Sequence, residues 1–446
     1  MPHGMVCPAW FEPALSIADP ELCSPKRLRP CSPHAFEPLG IPTFDVFRLN
    51  RGRHTRGPED KGGDIVRISW LLSLMAAPFL AGCTTPYSPP VFVAGGHDFP
   101  GLVGLVEKSE GRPVDVLLVH GMCTHDQVWA NEAIDGLVKA VDSNFKSGTS
   151  SQPAIQAAAV PAITIVPRTV KLAGGTVNFS ALVWSPLTAG LKSQLNYDNT
   201  GEPTDCSVFG ECKPKRASLN GKLKDGLLND CLADALVYQG ESRKSIRAAM
   251  VAAITRVIGD SEAKARAAGV TPGPLMLVTE SLGSKVTFDA LAEMVEGTAS
   301  PQSKSAGESA VARLGLVMMG ANQLPILGLA DQSVDAAGAR ISAAGPAPED
   351  ALTRLLRLTD RPKLTGSSFS KLSLVAFTDP NDLLSYRLQA SRYASSKVDV
   401  TDVLVSNDST YFGFLERPDT AHTGYRSNAA VASLIACGKP RSANCK

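Results

Sequence analysis

With 446 residues the chain can hold two average domains or one large α/β domain with appendages, and 44% hydrophobic against 20% charged residues describes a globular protein with ample core. A formal net charge of +1 leaves no electrostatic footprint for a nucleic-acid partner. No Cys-x-x-Cys or clustered-histidine spacing offers metal ligands, and no motif calls for a cofactor.

The first 60 residues hold 10 of the 32 prolines and show neither a strand nor a helix period. Residues 1–65 therefore read as a non-native or disordered extension. Val66-Arg67-Ile68-Ser69 then leads into WLLSLMAAPFLAGC, residues 70–83. This run is too short to span a bilayer, which favours a cleaved leader over a membrane helix, with a buried helix as the alternative. One positive charge, a short apolar core and Leu80-Ala81-Gly82-Cys83 resemble a bacterial lipoprotein signal peptide with its lipobox. The resemblance implies that residues 66–83 are the signal, that Cys83 is lipidated and becomes the mature N-terminus, and that translation starts near Val66. It places the protein in the bacterial cell envelope, and Thr84 in place of Asp directs it to the outer membrane, facing the periplasm or the exterior.

Residues 84–110, rich in Pro and Gly, read as a tether leading into an edge element. An apolar strand follows at Val114–Val119, then His120-Gly121-Met122. Helical spacing covers 126–141, and 161–184 read as a hairpin around Ala173-Gly174-Gly175. The pattern weakens over 185–240, which is long for a connection and suggests an insertion or lid. Helical spacing returns at Ile246, Met250, Ile254 and Ile258. A strand at 275–278 ends in Thr279-Glu280-Ser281-Leu282-Gly283-Ser284, and a helix follows to about Glu296. A Ser/Gly/Ala-rich loop at 298–310, strands at 314–319, 372–377 and 398–406, an irregular stretch at 328–348 and a last helix at 425–436 complete the chain. Apolar strands alternating with helices over 111–446 predict an α/β fold, a mostly parallel sheet covered on both faces, with its chemistry at the carboxyl ends of the strands.

Beyond Cys83 there are six cysteines: Cys123, Cys206, Cys212, Cys231, Cys437 and Cys445. An even count in an exported chain predicts disulfides, for which Cys206 with Cys212 and Cys437 with Cys445 are the shortest closures.

The polar motifs fall where the strands end. Ser281 sits at the apex of a strand–turn–helix, where small residues are wanted two positions either side; Gly283 meets that demand and Thr279 meets it in part. Taken alone, the stretch equally fits a buried strand followed by a serine N-cap. Asp379 and Asp382 follow the strand at 372–377, and His422 precedes the last helix. Ser, Asp and His in that chain order, on these strand ends, resemble lipase- and esterase-like members of the α/β-hydrolase superfamily. The resemblance implies a nucleophile at Ser281, a base at His422 and an acid at Asp382, with Asp379 as the alternative acid or a turn-former before Pro380. It implies an oxyanion hole from the amides of Met122 and Leu282, supported by His120, Gly121 and Gly283. Glu280 is expected to point away from the nucleophile, His125 to stand outside the site, and Trp184 to belong to the core. The activity implied is hydrolysis of a small-molecule or lipid carboxylic ester by a membrane-anchored enzyme. An acyltransferase or thioesterase, and a non-enzymatic scaffold assisting a secreted partner, are the alternatives.

Overall fold

The computed structural model describes residues 83–96, 98–146, 154–156, 163–200, 216–297, 299–334, 349–359 and 370–445. The N-terminal extension, the leader up to residue 82, His97, Cys206 and Cys212 lie outside them. The strands are β1 Cys83–Thr84, β2 Val91–Ala94, β3 Val114–Val119, β4 Ile155–Gln156, β5 Thr164–Leu172, β6 Gly175–Val183, β7 Leu275–Glu280, β8 Leu314–Gly320, β9 Leu372–Thr378, β10 Val398–Leu404 and β11 Thr410–Tyr411. The helices that frame the site are α1 Gly101–Lys108, α2 Gln127–Val141, α3 Pro186–Lys192, α4 Ala233–Gln239, α5 Arg243–Ala267, α6 Leu282–Glu296, α7 Pro301–Arg313, α8 Ala351–Thr359, α9 Pro418–Thr423 and α10 Ala429–Cys437.

Nine strands form one sheet in the order β2-β10-β9-β8-β7-β3-β6-β5-β4. The strands from β10 through to β6 run parallel, while β2, β5 and β4 pair antiparallel at the two margins. The fold is thus α/β, with helices on both sides of the sheet. Its central strands are apolar on both faces because both faces are covered. Side chains alternate accordingly: Leu117 and Val119 join the core under α5, α6, α7 and α8, whereas Val116 and Leu118 join the core under α1, α2 and α10. The exception in β3 is Asp115, a buried carboxylate that accepts hydrogen bonds from Asn178 Nδ2, Ser261 Oγ and Arg313. The β5–β6 hairpin turns through Ala173 and Gly174, both at positive φ.

Three expectations are corrected. Residues 84–110 are not a tether. They contain the edge strand β2 and helix α1, whose Leu102, Val103, Leu105 and Val106 are buried. Pro100, Gly101 and Gly104 disguised the helix, and they are there for contact: a Cβ on Gly101 would lie 2.3 Å from the Gly438 amide nitrogen. The 298–310 stretch is not a loop but contributes most of α7, capped by Ser300 Oγ accepting from the Ser303 amide. Its small residues allow close packing, since a Cβ on Gly307 would lie 2.6 Å from Met294 Cβ. The last helix begins at Ala429, where the Asn428 side chain caps it; Gly424–Arg426 is a separate 3-10 turn.

The 185–240 segment is helical where described: α3, a 3-10 turn at Ser193–Asp198, and a helix from Ser218 to Gln239 that is π-helical over Leu223–Leu232. Cys437 and Cys445 form the expected local disulfide. A second disulfide joins Cys123 to Cys231, across 108 residues.

If α1 is an integral part of the core, Leu105→Ala should destabilise the protein by about 2–5 kcal/mol, the usual cost of emptying a buried leucine site. Thermal unfolding of the variant reads this directly; an unchanged midpoint would return the segment to tether status.

Candidate functional site

Ser281 joins β7 to α6 with φ 52° and ψ −130°, a backbone conformation that a non-glycine residue adopts only at a cost of about 1–3 kcal/mol. The turn is held by the Ser281 amide donating to Gly320 O at 2.8 Å. Thr279, two residues before the serine, is fully buried, and its Oγ1 lies 2.9 Å from Ser284 Oγ. Threonine is therefore accommodated where glycine was expected because its hydroxyl ties the two ends of the turn together. Gly283 has no such latitude: a Cβ there would lie 2.1 Å from His120 O. Gly121 is equally confined, its Cβ position being 2.6 Å from Ser281 Cβ. The turn after β3 and the serine turn are in backbone contact.

His422, on α9, is buried, and its Nε2 lies 3.3 Å from Ser281 Oγ. Its Nδ1 lies 2.9 and 3.0 Å from the two oxygens of Asp382. With Nδ1–H donating to the carboxylate, Nε2 presents a lone pair to the hydroxyl. Asp382 also accepts from Tyr425 Oη at 3.1 Å and from the Leu384 amide at 3.0 Å. Asp379 is occupied elsewhere: its carboxylate accepts from the Asn381 and Asn407 amides at 2.9 and 2.6 Å, and burial raises its pKa. The two aspartates thus separate, Asp382 onto the imidazole and Asp379 into the turn. Asn407 in turn donates through Nδ2 to Ala421 O, one residue before His422.

Met122 and Leu282 are buried beside this group, and neither amide is spent on a backbone acceptor of a described residue. His120 fixes the turn that carries Met122. Its Nδ1 donates to Gly121 O at 2.8 Å and its Nε2 accepts from the Trp184 amide at 2.9 Å. Burial holds its pKa well below the usual histidine value, so the ring is neutral and serves as scaffolding. Trp184 does more than fill core: Nε1 donates to His120 O at 2.9 Å, and the indole stacks on the imidazole. On the other side of Met122, Cys123 has φ 80° and donates its amide to Asp234 Oδ2 at 2.8 Å. Asp234 is buried and held by Thr188 Oγ1 and Lys192 Nζ, so α3 and α4 grip the turn through both a carboxylate and the Cys123–Cys231 disulfide.

A cleft opens over Ser281 and His422, walled by Met122, His125, Trp129, Glu280, Tyr425 and Arg426. An apolar cavity lies behind it and shares Trp129, Glu280, Tyr425 and Arg426 as a common wall. His125 and Glu280 are therefore closer to the site than the sequence implied. Burial, then the Arg426 charge, pushes His125 down to about 4. Burial raises Glu280 against the opposing effects of Arg426 and His422. Tyr425, Asn407, Asp234 and Glu416 also belong to the site's support, and these roles were not foreseen because each acts on residues outside its own element. The one group of three potential metal ligands among the described residues is Cys123, Asp230 and Cys231, and its sulfurs are joined in the disulfide.

No family model, curated protein or solved structure matches the chain. What the site can do is carried by its own residues: a hydroxyl, an imidazole and a carboxylate in series at the carboxyl ends of β7, β10 and β9.

Glu416 is buried and accepts from the Asn381 side chain and the Asp408 amide. Burial, then the Asp379 charge, pushes its carboxyl up to about 7 from 4.5. Between those values the folded chain binds more protons than the unfolded chain, so stability declines as pH rises from about 4.5 through about 7. Glu416→Gln should remove that decline, melting like the parent in mild acid and above it at pH of about 8. Parallel melting profiles for the two proteins across this range would show that Glu416 titrates normally.

Proposed function

We propose that the protein is a serine hydrolase of the α/β-hydrolase type that cleaves carboxylic esters through an acyl-enzyme, and that a lipid on Cys83 anchors it in the bacterial outer membrane. The observation that carries the catalytic reading is the series Ser281 Oγ to His422 Nε2 at 3.3 Å and His422 Nδ1 to Asp382 at 2.9 Å. The serine strand β7 lies beside β3, which bears the His120-Gly121-Met122 turn, and acid and base follow in chain order; this supports the reading.

Ser281 Oγ attacks the ester carbonyl carbon while His422 Nε2 takes its proton. Asp382 stabilises the imidazolium that results and keeps Nδ1 protonated at rest. The carbonyl oxygen becomes an oxyanion facing the amides of Met122 and Leu282. On collapse the ester C–O bond breaks, and the imidazolium returns its proton to the departing alkoxide. Water then attacks the acyl-serine by the same sequence and releases the acid. The strained turn supports this reading because it holds the hydroxyl clear of its own strand. The helical cover of α3 and residues 216–240 is proposed as the lid, fastened to the oxyanion turn at Cys123. An acyltransferase would share the first half of the reaction and differ only in the acceptor.

A fluorophosphonate probe should label the wild-type protein and leave Ser281→Ala unlabelled; equal labelling would remove the serine from the chemistry. With p-nitrophenyl esters of graded length, Asp382→Ala should lower kcat by about 10⁴, while Asp379→Ala should chiefly lower stability. Ser281→Ala combined with His422→Ala should be scarcely worse than either alone, because the two act as one unit.

A further inference from the structure

We propose that residues 411–415 form a lipid-docking tip that seats the protein on the phospholipid leaflet holding its anchor. The inference rests on the lipid-anchor part of the proposed function. β1 pairs antiparallel with β11, with Cys83 opposite Tyr411 and Thr84 opposite Thr410. Thr84 Oγ1 lies 2.6 Å from Thr410 Oγ1, and the Tyr87 amide donates to Ser406 Oγ at 3.1 Å. The first residues after the lipidation point are therefore fastened along this loop.

The loop that receives them is Tyr411-Phe412-Gly413-Phe414-Leu415, and every residue in it is exposed, Phe414 at 92%. The exposed side chains of Tyr411, Phe414 and Leu415, large and apolar with no charge among them, have no role in the core and mark an interaction surface. The loop is not loosely attached: the Tyr411 amide donates to Leu415 O at 2.7 Å, and Phe412 and Gly413 turn at positive φ. The carboxylates on either side face inward. Glu416 is buried against Asn381, and Asp408 accepts from Thr420 Oγ1 at 2.8 Å. Arg417, next in the chain, is exposed and paired with Asp419. An uncharged aromatic tip beside an acyl-bearing cysteine fits a phospholipid leaflet. The same loop runs on to α9 and is clamped there by Asn407, so docking would also fix how the His422 side of the site stands to the membrane.

The test uses the full chain with Trp10 and Trp70 changed to Phe, leaving Trp129 and Trp184, both buried, as background. Phe414→Trp reports the tip, and Val270→Trp reports an exposed site at the opposite ends of the strands. Each is prepared in lipidated form and as Cys83→Ser and mixed with phosphatidylethanolamine/phosphatidylglycerol vesicles containing brominated acyl chains. The expected result is a blue shift and severalfold stronger quenching at position 414 than at 270 in both forms. Mass spectrometry of the Cys83 peptide tests the anchor separately: an unmodified cysteine with quenching retained at 414 removes the anchor and keeps the docking tip. Quenching at 414 no greater than at 270 overturns the proposal. So does a lipid-free dimer abolished by Phe414→Ser, which would assign the tip to a second copy of the chain.

Discussion

The site depends on a contact between two backbones. The turn after β3 and the turn after β7 press together where only glycine fits: Gly283 abuts His120 O, and Gly121 abuts Glu280 O and Ser281 Cβ. Met122, next after Gly121, lines the same cleft as Ser281. The contact requires Ser281 to hold a conformation it would not adopt alone. The strain is offset by its surroundings, since β3, β7 and β8 are buried on both faces and Gly320 O and Ser284 Oγ fix the turn from two directions.

Around that contact are two buried polar assemblies. On one side Asp234, Lys192 and Thr188 hold Cys123. On the other, Tyr425 donates to Asp382 and receives the Asp379 amide, so one phenol places both aspartates. Each assembly satisfies groups that would be costly to bury unpaired, and each joins segments distant in sequence. The imidazole and its carboxylate are thus set from one side, and the turn after β3 is set from the helical cover.

How much of this could be read beforehand follows from the kind of signal involved. The central strands were legible because burial on both faces makes them continuous apolar runs, and Ser281, Asp382 and His422 were legible because each closes or follows such a run. Between Asp382 and Asp379 spacing alone does not decide; what separates them is that Asp379 accepts two turn amides, a contact seen only in three dimensions. Helices α1 and α7 were hidden because their glycines and small residues, which suggest a loop by composition, are selected by close packing. The contacts of Asp234 and Tyr425 left no trace in the sequence, since a buried hydrogen bond between residues far apart has no period.

The Cys123–Cys231 bridge has a consequence for how the chain acquires its covalent form. Two further cysteines, Cys206 and Cys212, lie between its partners in sequence. If the chain is exported N-terminus first, as proposed, Cys206 meets Cys123 before Cys231 arrives. Pairing by order of emergence would yield the wrong bond and leave the helix that carries Cys231 unlinked to the turn after β3. The native bridge therefore has to be selected by the folded sheet or recovered through thiol–disulfide exchange, which makes maturation sensitive to the isomerase capacity of the compartment rather than to its oxidising strength alone.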